Sequence, residues 1–177
     1  MSKYKVAKIP YIESHYQGGK QHPTAIILSP TFTTSKKGAA LGIANAWNAS
    51  SSVFQSGHYS IDEETIYRCA NDRVIAGHKD VADKGAIRIA ICADPLNGTI
   101  FWDLGKHGLV LSRTAEFVAL LTAMHDIRRA YLSEEDIVRW RRRRSRRRGG
   151  IYVDVSSGWP HDLFLNEIKT SLLKGIL

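Results

Sequence analysis

Strand-like and helical patterns alternate along this sequence, and the alternation limits the folds that the chain can adopt. Apolar runs at Ala25–Leu28 and Ala86–Cys92 suit buried strands. The segments Val53–Ile61 and Thr65–Ala70 predict a hairpin, because a short acidic turn joins two runs with strand propensity. Strands interleaved with helices indicate the α/β class, with a central mixed β-sheet flanked by helices.

Four helices are predicted, and one of them begins at Ser133-Glu-Glu-Asp136, runs into an arginine run and ends by Gly149-Gly150. Lys37–Trp47 is the first, and a final helix is expected to begin at Pro160. Between them, Arg113–Tyr131 carries apolar residues at intervals of three and four, which is typical of a helix packed on a sheet. Thr114 suits its N-cap, whereas the glycine-containing stretch Thr99–Val110 predicts an irregular surface segment.

The chain of 177 residues suits one domain, which we expect at residues 22–177 after an N-terminal arm at residues 1–21. No apolar run approaches the roughly 18 residues of a membrane span, and the first residues lack the apolar core of a secretory signal. Cys69 and Cys92 both fall in strand patterns, which favours buried thiols and leaves a disulfide between strands open.

One segment carries the basic character of the chain. Residues 139–148 contain eight arginines and no acid, whereas the whole chain has a formal net charge of +8, so the remainder is neutral. The residues that we expect to bind an anionic partner are Arg139, Trp140, Arg141, Arg142, Arg143, Arg144, Arg146, Arg147 and Arg148. Trp140 also permits stacking on a base or a sugar ring.

The arginine-rich segment leaves several partners open. We expect an acidic protein surface or a neighbouring subunit of a homo-oligomer. Nucleic acid is a less expected partner, because the basic residues belong to one element and not to a generally basic surface. A solvated helix face is the alternative that requires no partner.

Several motifs occur in an order that resembles the type-2 N-acetylmuramoyl-L-alanine amidases, zinc enzymes that share a fold with peptidoglycan recognition proteins. The hairpin His58-Tyr-Ser-Ile-Asp62 with Thr65-Ile-Tyr67, the element Ala76-Gly-His78 and the strand Ala86-Ile-Arg-Ile-Ala90 carry the resemblance. It covers most of residues 22–170. The resemblance implies an α/β domain with a peptidoglycan-binding groove. It also makes a phage capsid and an anionic wall polymer candidate partners of residues 139–148.

The chain departs from the family pattern at the metal. In the family, the first strand ends in a histidine ligand, and here Ser29 takes that position. The second ligand position falls at Val153 or Asp154 and the third near Trp159, and the strand that usually ends in Glu ends in Ala90. A hydrolytic zinc needs three protein ligands and an open position for water. We therefore expect no metal cofactor, with zinc as the alternative.

The remaining candidates lie in the matching motifs. The resemblance implies that His58, His78 and Tyr59 are structural or line the groove. A new zinc site formed by His58, His78 and Asp154 is chemically possible, because these residue types bind zinc.

Two functions are compatible with these features. The first is a non-catalytic amidase-like module, for which the family's frequency in phage lysins suggests a virion protein such as a capsid decoration or other minor structural protein. The second is an active zinc amidase, an endolysin that cleaves the bond between muramic acid and L-alanine with zinc-bound water. The first predicts a location in the virion or the host cytoplasm.

Overall fold

A five-stranded mixed sheet forms the centre of the protein. The computed structural model describes residues 9–13, 19–49, 56–76, 84–94, 102–133, 135–136, 149–153 and 159–174. The strands lie in the order β3-β2-β4-β1-β5. Only the β2–β3 hairpin is antiparallel among these pairs. In chain order the strands are β1 (Ala25–Phe32), β2 (Tyr59–Ile61), β3 (Ile66–Arg68), β4 (Ala86–Ala93) and β5 (Ile151–Val153).

Helices cover both faces of the sheet, which confirms the predicted α/β architecture. They are α1 (Ala39–Ala49), α2 (Leu104–Met124) and α3 (His161–Leu173). The Ser60 hydroxyl donates to the Ala40 carbonyl at 2.8 Å, which places α1 on the face that Ser60 occupies. Tyr59 points to the other face, where its ring meets that of Phe117 on α2 with centroids 4.7 Å apart. The main core lies on this second face, under α2 and α3.

Helix α2 begins nine residues before the Arg113 start that the apolar spacing indicates. The Asp103 side chain accepts a hydrogen bond from the Gly105 N–H at 2.8 Å and caps the helix. Thr114, the predicted cap, lies inside the helix, where its hydroxyl donates to the Val110 carbonyl at 2.7 Å. The prediction of an irregular segment was therefore wrong over residues 104–110. Gly105 and Gly108 have low helix propensity, but both lie within the helix.

Strand β1 continues through Pro30 to Phe32, beyond its predicted end at Leu28. The Ile26 N–H donates to the Gly150 carbonyl at 2.9 Å, so every second amide of β1 faces β5. The backbone nitrogen of Pro30 also faces the β5 side, but Pro30 lies beyond the last described pair of the two strands, Leu28 with Val153. The N–H that proline lacks therefore costs no described ladder bond at this position.

Part of the predicted N-terminal arm lies along the edge of the sheet. The Ile12 N–H donates to the Arg68 carbonyl, and the Arg68 N–H donates to the Pro10 carbonyl, both at 2.9 Å. Residues 10–12 thus extend the edge beside β3. None of the helices among the described residues is long and apolar enough to cross a membrane.

Candidate functional site

A row of small side chains crosses the sheet on the α1 face. Ala90 of β4 is in register with Ser29 on one side and with Ser60 on the other. Residues in register point to the same face, so the α1 contact of Ser60 assigns Ser29 and Ala90 to that face as well. The sequence positions of an expected metal ligand and an expected glutamate therefore lie side by side in the structure.

Hydroxyl groups follow Ser29 toward the carboxyl end of β1. The Thr31 hydroxyl lies 2.9 Å from that of Thr33 and donates to the Ile91 carbonyl at 3.1 Å. Ser29, Thr31 and Thr33 are each half-buried. The Ser29 hydroxyl oxygen is shielded and has no hydrogen-bond partner among the described residues. We call Ser29, Thr31, Thr33 and Ala90 the strand-end patch.

Two polar groups flank the strand-end patch at the end of β4. The Ser35 N–H and hydroxyl donate to Asp94 at 3.1 and 3.0 Å, and the backbone bond in particular holds the pKa of this carboxyl below its ordinary value. Cys92 is buried, and burial raises the pKa of its thiol. A protonated thiol is a poor nucleophile and a poor metal ligand. Cys92 and Cys69 are both free, as the strand patterns favoured.

Val153 does not share the face of Ser29. It is in register with Leu28 and packs against the core under α2 and α3. Successive residues of a strand point to opposite faces, so Ser29 and Val153 point away from each other. Asp154, the other candidate for this ligand position, lies outside the described residues.

Trp159 is part of the hydrophobic core. It is buried, and its ring lies 4.7 Å from that of Trp102 and 4.9 Å from that of Phe164 between centroids. Its indole N–H donates to the Tyr131 hydroxyl at 3.0 Å. The side chain at the expected third ligand position thus stabilises the packing of α3, and its only polar atom is engaged.

The described residues at these positions, which are Ser29, Ala90, Val153 and Trp159, do not fit a catalytic zinc ion. Alanine and valine have no ligand atom, an indole N–H is a donor only, and serine is not among the side chains that form protein zinc sites. Among these described positions, only the Ser29 hydroxyl offers a lone pair, and it is a weak ligand. Within the part of the chain that the structure describes, no three His, Cys, Asp or Glu side chains are grouped to hold a metal.

His58 is fully buried and both its ring nitrogens are engaged. Nδ1 accepts from the Arg88 N–H at 3.0 Å, so Nε2 carries the proton and donates to the Val74 carbonyl at 3.0 Å. Burial lowers the pKa of this imidazole to about 4. The ring joins the hairpin to β4 and to residue 74, an arrangement that favours the structural interpretation of His58.

Tyr59 belongs to a buried polar network around Asp72. Its hydroxyl donates to Asp72 at 2.5 Å, and His125 at the end of α2 contacts the other carboxylate oxygen at 2.8 Å. Burial acts to raise the pKa of Asp72, but the bonds from His125 and Tyr59 together outweigh it and lower the pKa. Burial raises the pKa of the Tyr59 phenol, which favours its neutral, donating form.

Besides Asp154, two of the predicted sites lie outside the described residues. They are His78 and the arginine-rich segment 139–148. Sequence reasoning missed three features that the structure supplies: the Asp72 network, the hydroxyl groups beyond Ser29 and the start of α2. Hydroxyl side chains occur at every second position from 29 to 33. This period of two is typical of one face of a strand and could have revealed the hydroxyl groups beyond Ser29.

Comparison with solved structures assigns the fold. The chain is similar to a mutant endolysin from Bacillus subtilis, with 18% identity, 68% of this chain and 79% of that one covered, and a TM-score of 0.54. It is also similar to the hydrolase AmiA of Staphylococcus aureus in complex with its ligand, with 12% identity, 94% of this chain and 83% of that one covered, and a TM-score of 0.60. A third similar structure is the N-acetylmuramoyl-L-alanine amidase LysC from Clostridium intestinale, with 14% identity, 94% of this chain and 97% of that one covered, and a TM-score of 0.52.

These neighbours define an amidase fold, as the sequence motifs predicted. No protein-family model matches the sequence, and no curated protein matches it. At identities of 12–18% the likeness to these three structures establishes the fold alone. The function therefore has to be argued from the residues of the site.

Proposed function

We propose that this protein is a non-catalytic amidase-fold module that binds peptidoglycan and serves as a structural protein of a phage virion. The observation that carries the proposal is the row Ser29–Ala90 on the α1 face. It supplies a hydroxyl and a methyl group where the family pattern predicts a histidine and a glutamate. Hydrolysis by zinc-bound water needs ligands that these two residues do not provide.

The strand-end patch retains the means to bind a polar polymer. Its three hydroxyl side chains are half-buried, and the Ser29 hydroxyl has no partner within the described structure. A hydroxyl can both donate and accept, which suits sugar hydroxyls and peptide groups. We expect the half-buried Thr31 and Thr33 hydroxyls, which lie 2.9 Å apart, to form these bonds, because the Ser29 hydroxyl oxygen is shielded.

The virion assignment depends on the resemblance to phage lysins and on the endolysin among the structural neighbours. It predicts that the protein is detected by mass spectrometry in purified phage particles, as a capsid decoration or other minor structural protein. Its presence only in the soluble fraction of lysing cells would contradict this part of the proposal and leave the binding function intact.

Cosedimentation with purified, insoluble peptidoglycan tests the binding function. The double variant Thr31→Val/Thr33→Val removes two hydroxyls of the patch, and we expect about tenfold weaker binding from two lost hydrogen bonds. Thr170→Val on α3 removes an exposed hydroxyl on the opposite side of the sheet and is the matched control. Equal binding by both variants would exclude the patch as the site.

Analysis of the supernatant separates binding from catalysis. We expect no soluble peptide after prolonged incubation with peptidoglycan. Released peptide with a free L-alanine amino group would identify an active amidase and contradict the proposal.

A further inference from the structure

The threonine hydroxyls of the strand-end patch use their hydrogens within the protein. The Thr31 hydroxyl donates to the Ile91 carbonyl at 3.1 Å, so its single hydrogen is engaged. The 2.9 Å contact between the Thr31 and Thr33 hydroxyls is then a bond that Thr33 donates and Thr31 accepts. Both hydrogens are engaged, and each oxygen keeps a lone pair. This end of the patch therefore offers acceptors to a ligand.

Asp94 adds a carboxylate to these acceptors. Phe32 and Ala93 form the last pair of the β1–β4 ladder, so Thr33 and Asp94 directly follow the ends of two strands that lie about 4.8 Å apart. Ser35 donates both its N–H and its hydroxyl to Oδ2 of Asp94, which holds the carboxylate beside the patch. A carboxylate has about four lone-pair sites, so these two bonds leave it able to accept more.

The charge of Asp94 has no counter-ion in the described part of the chain. The backbone bond from Ser35 is the largest cause that lowers the pKa of this carboxyl, so the group is ionised at neutral pH. Among the described residues, no lysine, arginine or histidine forms an ion pair with Asp94, and Lys37, two residues after Ser35, pairs with Glu64 at 2.9 Å instead. Asp94 is half-buried, so a ligand can reach it. We call Thr31, Thr33 and Asp94 the acceptor cluster.

We infer that the acceptor cluster binds a primary ammonium group of peptidoglycan, an inference that rests on the proposed function. An ammonium group has three N–H donors and a positive charge, whereas the cluster has three acceptor groups and a negative charge. A neutral hydroxyl or amide would leave the charge of Asp94 unpaired. Peptidoglycan can present such an amine on a glucosamine that has lost its acetyl group or on the side chain of a diamino acid in its peptide.

Acetylation of the free amines of peptidoglycan with acetic anhydride tests the inference on the unmodified protein. We expect cosedimentation to weaken about fivefold, as for the loss of one partly exposed ion pair. The direction of the change is diagnostic. Because the protein has a formal net charge of +8, non-specific attraction would instead increase as the polymer loses positive charge.

The variant Asp94→Asn removes the charge and keeps a side-chain oxygen for Ser35. We expect it to bind untreated peptidoglycan about fivefold more weakly than the parent protein and to lose nothing further on acetylation. Asp126→Asn is the matched control, because Asp126 is exposed and its φ of 52° is one that asparagine adopts readily. It lies four residues before Ala130, whose carbonyl bonds to β5 at the amino-terminal end of the parallel strands. The control should bind and respond to acetylation as the parent protein does.

Soluble probes identify the source of the amine. An oligomer of glucosamine compared with one of N-acetylglucosamine represents the sugar, and a stem peptide with a free side-chain amine compared with its acetylated form represents the peptide. We expect NMR titration to show tighter binding of the free amine in one pair, with the preference lost in Asp94→Asn. Equal binding within both pairs would overturn the inference.

The cosedimentation results separate this inference from the proposed function. An absence of binding to untreated peptidoglycan would overturn both. Binding that is unchanged or stronger after acetylation would overturn the ammonium inference alone, since the protein would still bind the polymer.

Discussion

The β2–β3 hairpin and the strand-end patch share one sheet, yet they differ in how completely their polar groups are paired. In the hairpin, the buried Asp62 carboxylate accepts four backbone N–H groups, from Gly38, Ala40, Glu64 and Thr65. In the strand-end patch, the Ser29 hydroxyl has no partner among the described residues. The hairpin matches the family pattern residue by residue, whereas the patch departs from it.

This difference in hydrogen bonding indicates which residues the fold requires. Asp62 caps α1 and closes the hairpin turn, and His58 joins three segments, so replacing either leaves buried groups without partners. A residue that only binds a metal makes no such hydrogen bonds, so the fold does not need it when no metal is bound. We therefore expect the fold to persist with Ser29 and Trp159 at positions where the family pattern has zinc ligands.

Trp159→Cys gives the sharpest test of this view, because it places a zinc-type ligand at the expected third position. We expect a loss of about 4 kcal/mol in the free energy of unfolding, since the change empties a buried aromatic site between Trp102 and Phe164. Urea denaturation measures it. Leu163→Ala, at a site that is 41% exposed on the same helix, is the control and should cost only about 0.5 kcal/mol.

The variant Asp62→Ala tests the β2–β3 hairpin, whose buried carboxylate is fully hydrogen-bonded. We expect a loss of about 3 kcal/mol, because four backbone N–H groups lose their acceptor and α1 loses its cap. Asp62→Asn keeps one acceptor oxygen and should lose about half as much. Equal stability of the alanine variant and the parent protein would contradict the role assigned to this carboxylate.

His58 makes the stability of the fold depend on pH. Its folded-state pKa of about 4 lies below the ordinary value of 6.5, so the unfolded chain binds more protons between these values. Stability should fall by about 3 kcal/mol as the pH drops from 6.5 to 4, with no further contribution from this group below pH 4.

Urea denaturation at a series of pH values checks this expectation. His58→Asn should flatten the curve within that window, whatever its effect at neutral pH. The lowered pKa of Asp72 places its own contribution below the window, because stability from a depressed carboxyl is lost only as pH falls through the folded pKa.

Ser29→Ala is expected to have the smallest effect and the opposite sign. Removing a shielded hydroxyl without a partner should stabilise the protein by about 1 kcal/mol. The melting temperature in calorimetry would report the gain. A loss of stability would mean that the hydroxyl is paired in solution, and the contrast between the two regions would then be weaker.

Much of the fold could be predicted from the sequence, because its signals are local. The apolar alternation around Ala86–Cys92 and the hairpin motif around Asp62 each specify their element within a few residues. The start of α2 could not be predicted from apolar spacing, since Gly105 and Gly108 interrupt the stripe. Its signal was instead the capping residue Asp103.

The site was less accessible to sequence reasoning, because it depends on registers between distant strands. The family pattern identifies Ser29, but only the pairing of Leu28 with Val153 reveals that Val153 points to the other face. Similarly, the packing of Trp159 against Trp102 cannot be inferred from sequence spacing. The approach of Gly149 to Thr24 likewise brings together residues that are 125 positions apart.

The zinc content of the protein tests the central claim most directly. The protein would be purified without chelator, dialysed against zinc and measured by inductively coupled plasma mass spectrometry, with release of peptide from peptidoglycan assayed on the same sample. We expect no stoichiometric zinc and no peptide release. One zinc per chain together with peptide release would contradict the account and identify a working amidase whose ligands lie elsewhere in the chain.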